Sequence, residues 1–536
     1  MKRRRVVPLL YIAIALVITA ALLPSALRPP PDQTSESAAL SPDAPSDDQS
    51  EQLIQSTQQA AGGGAGAAAG KGDAGPATTT TLAPASGECV GNPPRQNFSV
   101  YSNGCAPAFS GDNGGSTYKN VFPDEIRVGW YHGFGGPGTG RLPDQEDPSE
   151  NPQRHTFRVF QTWLNTHFQL WGRRIVFYGI EASNNVEEDQ ARVKTAVNEY
   201  KLFTASHAWL DFCSEFARNK LPMFCVSAPQ ETFASADGYV FSYPNVITQA
   251  QTAGAEFVCK TLYGRPAKFA GAGVDKTLPR KFANVANYNA RTGAPKKPFD
   301  DAFERDCGQK VTLSYEFSDE AANTADPQLA VRQMIAEGVT TVVTSTEGIY
   351  TTYMMNAADA LHWEPEWVFL ANWGTDTNTG GKVQPPTQMR RTMAISGWEM
   401  PLRPDQTECY RAYHEVDPDT DPAPLFCAYW QQLVLIAAGL QGAGPNLNPT
   451  TFRKGLYDLG YKCGIAIWMS CGGFGPNDPA FMDDFGVVWW DPSAIAPDDG
   501  AAGAYRWTAN GDRYHIGEFP GDDSQLFKQG ELTPGG

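Results

Sequence analysis

The chain has 536 residues, including 52 Gly, 41 Pro and ten Cys, with 42 basic against 59 acidic side chains, a formal net charge of −17. That length supports two or three domains with large cores, and the acidic balance excludes a general nucleic-acid role, which needs clustered Lys and Arg. Apolar residues at 41% and 13 Trp exclude a wholly disordered chain, although the Gly and Pro excess marks part of it as tether or loop.

The first element sits at the N terminus. Basic Met1-Lys2-Arg3-Arg4-Arg5 precedes an apolar run from Val6 to Leu23, long enough for a short spanning helix. Cleavage signals are poorly placed: Thr19-Ala20-Ala21 lies inside the run, and Pro24 takes the −3 place in Pro24-Ser25-Ala26. Residues 1–27 are therefore expected to be an uncleaved membrane anchor, with a cleaved signal peptide as the alternative. Both readings put the remainder outside the cytoplasm. Residues 28–88 follow as a linker, with Pro29-Pro30-Pro31, a Gly/Ala stretch from Gly62 to Gly70, and Thr78 to Thr81. They offer little to bury.

An even set of cysteines suits an oxidising compartment. Spacing alone leaves about 945 pairings open. The ten fall into five local couples, expected to be disulfides: Cys89–Cys105, Cys213–Cys225, Cys259–Cys307, Cys409–Cys427 and Cys463–Cys471. No Cys-x-x-Cys couple points to zinc.

From Glu125 onward, strands alternate with helices. The expected order is strand 126–131, helix 156–171, strand 175–178, helix 187–200, a strand near 202–204, helix 210–219 and strand 222–226. A second series runs through helix 249–263, strand 281–286, helix 300–307, strand 311–317, helix 328–337, strand 340–344, helix 350–361 and strand 367–371. A strand over 391–398 and helices 407–415, 426–442 and 449–459 complete it, and 460–536 reads as loops and short hairpins. The pattern predicts an α/β fold of two open parallel-sheet lobes around a cleft. Lobe 1 is expected over 89–250 with a return segment at about 392–459, and lobe 2 over 251–391 with a C-terminal segment at 460–536.

Ligands of such sheets bind beyond the carboxyl ends of the strands. Those ends carry hydroxyls, amides, aromatic rings and single carboxylates, an inventory for a small polar molecule. Gly133-x-Gly135-x-x-Gly138 matches a dinucleotide fingerprint only formally, because Pro137 and a polar loop delay the next helix. Asp417-x-Asp419-x-Asp421 begins like a calcium loop, but Pro422 stands where Gly is needed. His207 sits at a strand end. Glu187-Glu188 and Asp483-Asp484 read as solvated charge, whereas Glu347 directly follows an apolar strand. No metal or cofactor is implied.

From about Glu125 to Leu459 the chain resembles the type I periplasmic binding proteins, specifically the branched-chain amino acid group of ABC transporters. The stretches carrying the likeness are Leu221 to Pro229, Tyr239-Val240-Phe241-Ser242-Tyr243-Pro244, Val339 to Thr344, Tyr429 to Gly444, and Leu447 to Phe452. The resemblance implies a binding protein rather than an enzyme, closing two lobes on a ligand that it delivers to an ABC permease. It places Ser206, Trp209, Gln230 and Thr232 at the ligand carboxylate, with Glu347, Tyr350, Trp373 and Asp376 contributed by the second lobe. The family's acid position falls near Trp373, so Asp376 is displaced by three residues and the ligand can be an amino acid, an amide or an aromatic compound. Alternatives are an exported hydrolase using Glu347 and Asp376, and a sensory ectodomain with a separate membrane partner.

Overall fold

The computed structural model describes residues 99–534 apart from 105, 107, 132–139, 145–149, 182–185, 209, 227, 289–292, 319–323, 372–373, 424–425 and 464–470. The N-terminal apolar run, the linker, the Gly133 motif and the Cys89–Cys105 couple lie outside the described residues. Among the described residues no helix is long and apolar enough to cross a membrane.

The first lobe is built from β1 (Glu125–Tyr131), α1 (Pro152–His167), β2 (Arg174–Ile180), α2 (Val186–Asn198), β3 (Thr204–Ala208), α3 (Leu210–Arg218), β4 (Met223–Cys225), α4 (Gln230–Ser235) and β5 (Val240–Ser242). Its parallel sheet has the order β2-β1-β3-β4-β5. The second lobe contains α5 (Ile247–Phe257), β6 (Phe282–Tyr288), α6 (Lys297–Cys307), β7 (Leu313–Phe317), α7 (Ala325–Ala336), β8 (Thr341–Ser345), α8 (Gly348–Ala360), β9 (Glu366–Leu370) and β10 (Thr392–Ser396). Its parallel order is β7-β6-β8-β9-β10, the same pattern as the first.

Local sequence explains these elements. Helix α1 begins a turn earlier than the apolar stripe alone marks, because Asn151 caps it through the Arg154 amide and Pro152 occupies its first turn. Its Phe157, Phe160, Trp163 and Leu164 then form one buried face. Strand residues are buried on both sides, as a sheet covered by helices requires.

After β10 the chain returns to the first lobe as α9 (Glu408–Val416), α10 (Trp430–Gly442) and α11 (Pro449–Tyr457). These pack into the first core, together with Phe474 and Phe481. Strand β10 corrects the expected boundary at 392. It pairs with β9, and its Met393 and Ile395 sit in the second core, so the return starts after Ser396. The C-terminal region is also more regular than loops and short hairpins. An eleven-residue strand, β11 (Phe485–Ile495), runs antiparallel to β10, and β12 (Ala502–Trp507) and β13 (Arg513–Tyr514) pair with it. The apolar run Val487-Val488-Trp489-Trp490 is the signal for this strand, since a double-sided sheet position needs a continuous apolar segment.

The described disulfides follow the local couples. Cys213–Cys225 ties α3 to β4, Cys259–Cys307 ties the turn after α5 to the end of α6, and Cys409–Cys427 ties α9 to the start of α10. Cys463–Cys471 closes a short loop.

Candidate functional site: the cleft and its crossovers

Three segments join the lobes. The first is Tyr243 to Val246, between β5 and α5. The second is Gly397 to Thr407, between β10 and α9, and the third is Asp483-Asp484, just before β11. They converge at Gly397: a Cβ there would lie 2.2 Å from Met482 Sδ and 3.1 Å from Asn245 Oδ1, so a side chain at this position would have to push the Met482 thioether aside where the three connections approach one another.

One guanidinium fastens two of them. Arg513 Nε pairs with Asp484 Oδ1 at 2.9 Å and its NH1 donates to the Trp398 carbonyl at 2.6 Å. Its NH2 donates to the carbonyls of Gly397 at 3.1 Å and Asp484 at 3.0 Å. Asp483-Asp484 is thus not a solvated charge pair. Asp484 is buried on Arg513; burial pushes Asp478 upward against its bond with Asp483, and burial together with the Asp478 and Asp484 carboxylates pushes Asp483 upward. Glu399 is raised by burial and by Asp484, with Arg513 opposing.

The carboxyl ends of both sheets, where ligands of open α/β sheets bind, adjoin these crossovers. Asp376 follows β9 and is 3% exposed. Its Oδ1 accepts from the Trp398 indole Nε1 at 3.1 Å, whereas Oδ2 is buried without a hydrogen bond. Burial lifts its carboxyl to about 6, with Ser396, Trp398 and the Gly397 amide pulling the other way. Trp398 in turn packs against the core of the first lobe. An acid of the second lobe is therefore wired to a ring that touches the first.

The other expected residues divide. Gln230 opens α4 at the exposed side, and its amide donates to Thr248 Oγ1 at 3.2 Å, beside the first crossover. Glu347 is half-buried at the N-cap of α8, at the carboxyl end of β8. Ser206 is fully buried in β3 and neighbours the Tyr243 hydroxyl, itself raised by burial and by Tyr429. It faces the interior rather than an open cleft wall. Thr232 lines a groove of about 290 Å³ with Arg218, Lys220 and Tyr239, near the amino ends of β4 and β5 and so away from the cleft end. Tyr350 is 1% exposed, its ring stacked on Phe317 at 4.7 Å, and belongs to the second core. The cause is helical phase: Tyr350 lies on the inward face of the first turn of α8. Trp209 and Trp373 lie outside the described residues, as does the side chain of His207.

Residue-by-residue reading missed Trp398 and Arg513. The available signal for the first was an aromatic ring immediately after an apolar strand, followed by Glu399-Met400-Pro401. No signal marks Arg513, which acts from a site distant in sequence. Asp417 is also resolved: it accepts from His155 Nε2 at 2.7 Å and Thr420 Oγ1 at 2.7 Å, and these contacts lower it to about 2. It is a local anchor rather than a cation ligand. Among the described residues no group of three or more His, Cys, Asp or Glu could hold a metal ion.

No protein-family model and no curated protein sequence matches the chain. Solved structures do match in shape. The solute-binding protein of an ABC transporter from Rhodopseudomonas palustris HaA2, in complex with p-hydroxybenzoic acid, aligns with a TM-score of 0.51 at 13% identity, over 76% of this chain and 100% of that one. A periplasmic binding protein from Burkholderia mallei aligns with a TM-score of 0.52 at 12% identity, over 74% of this chain and 95% of its own. These neighbours are binding proteins rather than enzymes. The chain shares its two-lobed α/β fold with the type I periplasmic solute-binding proteins of ABC transporters.

Proposed function

We propose that this chain is an extracytoplasmic solute-binding protein that captures a small molecule between its lobes and presents it to an ABC permease. The observation that carries the reading is the meeting of three crossovers at Gly397, beside the buried cleft acid Asp376. Three thin connections allow two rigid lobes to rotate, and a ligand contacting both lobes selects the closed arrangement. Asp376 Oδ2 asks for a hydrogen-bond donor, so the ligand class is a small molecule with an ammonium, amide or hydroxyl group. Gln230 and Glu347 are proposed to reach the same ligand. The apolar run at 6–23 is proposed to anchor the protein at the outer face of the membrane, with 28–88 as its spacer.

The test is a panel of amino acids, their amides and aromatic carboxylic acids, read by thermal unfolding and small-angle scattering. A true ligand raises Tm and decreases the radius of gyration. Absence of both responses across the panel defeats the receptor reading. Glu347→Gln weakens affinity in a binding protein, whereas the hydrolase alternative requires turnover of a panel member that this substitution abolishes.

A further inference from the structure

Asp376 and Trp398 are separated by a short stretch of chain yet belong to different jobs. Asp376 lies in the loop that follows β9 of the second lobe, and Trp398 lies on the crossover and packs against the first core. The indole Nε1–H to Oδ1 bond of 3.1 Å is the link between them. Beyond Trp398, its carbonyl and that of Gly397 are both held by Arg513, which also grips Asp484 on the third crossover. The carboxylate, the indole, the guanidinium and a second carboxylate therefore form one line from cleft to hinge.

We propose that Trp398 is a positioning residue that couples occupancy of the Asp376 carboxylate to the arrangement of the lobe crossovers. The inference rests on the reading of the cleft as a ligand site and extends it to how the hinge senses that ligand. An ionised Asp376 holds the indole N–H, and the indole holds the crossover that Arg513 clamps. A ligand donor reaching Oδ2 satisfies the remaining acceptor and keeps the carboxylate ionised, so the link persists. A proton on Asp376 competes for the same lone pairs and weakens it. Protonation thus acts on the link in the opposite sense to a bound donor, and a pH titration reads the same coupling without the ligand.

Other groups face this line and must be separated from it. Tyr505 approaches Asp376 from β12, with Ser396 on β10. Around the crossovers stand Glu399, Asp478, Asp483, Asp484, Tyr461 and Arg513, with Tyr101 and Glu408 beyond Glu399 and His515 on the Asp483 carbonyl. Glu408, lifted by burial to about 7, and Asp498, lifted to about 6, titrate in the same interval. Asp376→Asn isolates the one carboxylate among them.

The test uses the full chain with ¹⁵N-labelled Trp, titrated from about pH 4.5 to 8, with the Trp398 indole assigned by its loss in Trp398→Phe. The expected indole resonance titrates with a midpoint near 6 and stops titrating in Asp376→Asn. The radius of gyration is expected to change over the same interval, and to lose that change in Trp398→Phe. Removal of the indole donor is expected to move the Asp376 ¹³C carboxyl midpoint up by about one pH unit, the scale of one charge-assisted hydrogen bond. Arg513→Lys keeps Trp398 and its titration while losing the response of the radius. An indole resonance indifferent to pH or to Asp376→Asn overturns the proposal. So does a radius that is constant in the wild type, or that responds in Trp398→Phe or Arg513→Lys as it does in the wild type. Failure of every solute in the binding panel defeats the receptor reading and leaves this titration able to report the linkage.

Discussion

The two lobes repeat one strand order but hold their cores together by different means. The first is an aromatic core: Trp163 and Trp430 meet at 4.7 Å, Phe160 and Trp430 at 5.1 Å, and Trp130 and Phe157 at 5.0 Å. The second buries an ion pair, Arg280 Nε to Glu366 Oε2 at 2.6 Å, with neither side chain exposed. Glu366 also accepts from Thr341 Oγ1 and the Phe269 amide, and Arg280 donates to the Leu262 carbonyl. Aromatic packing degrades gradually, because each ring loses only part of its contacts. A buried charge network is all or nothing, since removing one partner strands the other in a low dielectric. The same topology therefore accommodates a tolerant lobe and a brittle one.

The comparison can be broken most sharply at Glu366. Glu366→Ala is expected to destabilise the second lobe by about 3 kcal/mol, by leaving the buried Arg280 with only a longer contact to Asp523 at 3.8 Å and the Leu262 carbonyl. Chemical unfolding followed by hydrogen exchange should show the loss in β8 and β9 first, with the first core intact. An equal loss in both lobes would refute the independence of their cores.

Asp376→Asn gives the next effect, with a sign set by pH. The folded carboxyl titrates at about 6, above its ordinary value of 3.8. The folded state then binds the proton more tightly, so the carboxylate costs stability as pH rises from about 4 to 6 and keeps that cost above. Asn removes it, so the variant should be more stable than wild type at pH 7.5, by on the order of 2–3 kcal/mol, and show no such gain at pH 4. Matching Tm values at pH 7.5 would contradict the buried, ionised acid.

Phe157→Leu should cost about 1.5 kcal/mol in the first lobe, independent of pH and salt, because an aromatic core absorbs a near-isosteric change. The smallest effect is expected at α11. Asn448 accepts from the Thr450 and Thr451 amides, and Thr451 returns a bond to the Asn448 backbone as a capping box. Asn448→Ala should therefore lower stability by about 1 kcal/mol, readable as a small shift in the denaturation midpoint.

Much of the fold was legible because its signals are local. Phe157, Phe160 and Leu164 keep helical spacing, Ile175 to Tyr178 form an unbroken apolar strand, and the cysteine couples are near neighbours. The proposed binding site was legible only in part. Loops at the strand ends announce Asp376, Gln230 and Glu347 by position, but position does not say where a side chain points. Ser206 and Tyr350 carry polar atoms at suitable places in the sequence, yet strand alternation and helical phase turn both inward.

Length, charge and periodicity alone determined an acidic α/β protein with an apolar N-terminal run, a low-complexity linker and two βα series. Only the tertiary structure decided that β10 belongs to the second sheet, that 485–495 is a strand beside it, and that three crossovers meet at Gly397. The reason is range. Helices and strands follow from neighbours a few residues apart, whereas the crossovers bring together Asn245, Gly397, Met482 and Arg513, whose partnership exists only once both lobes have formed.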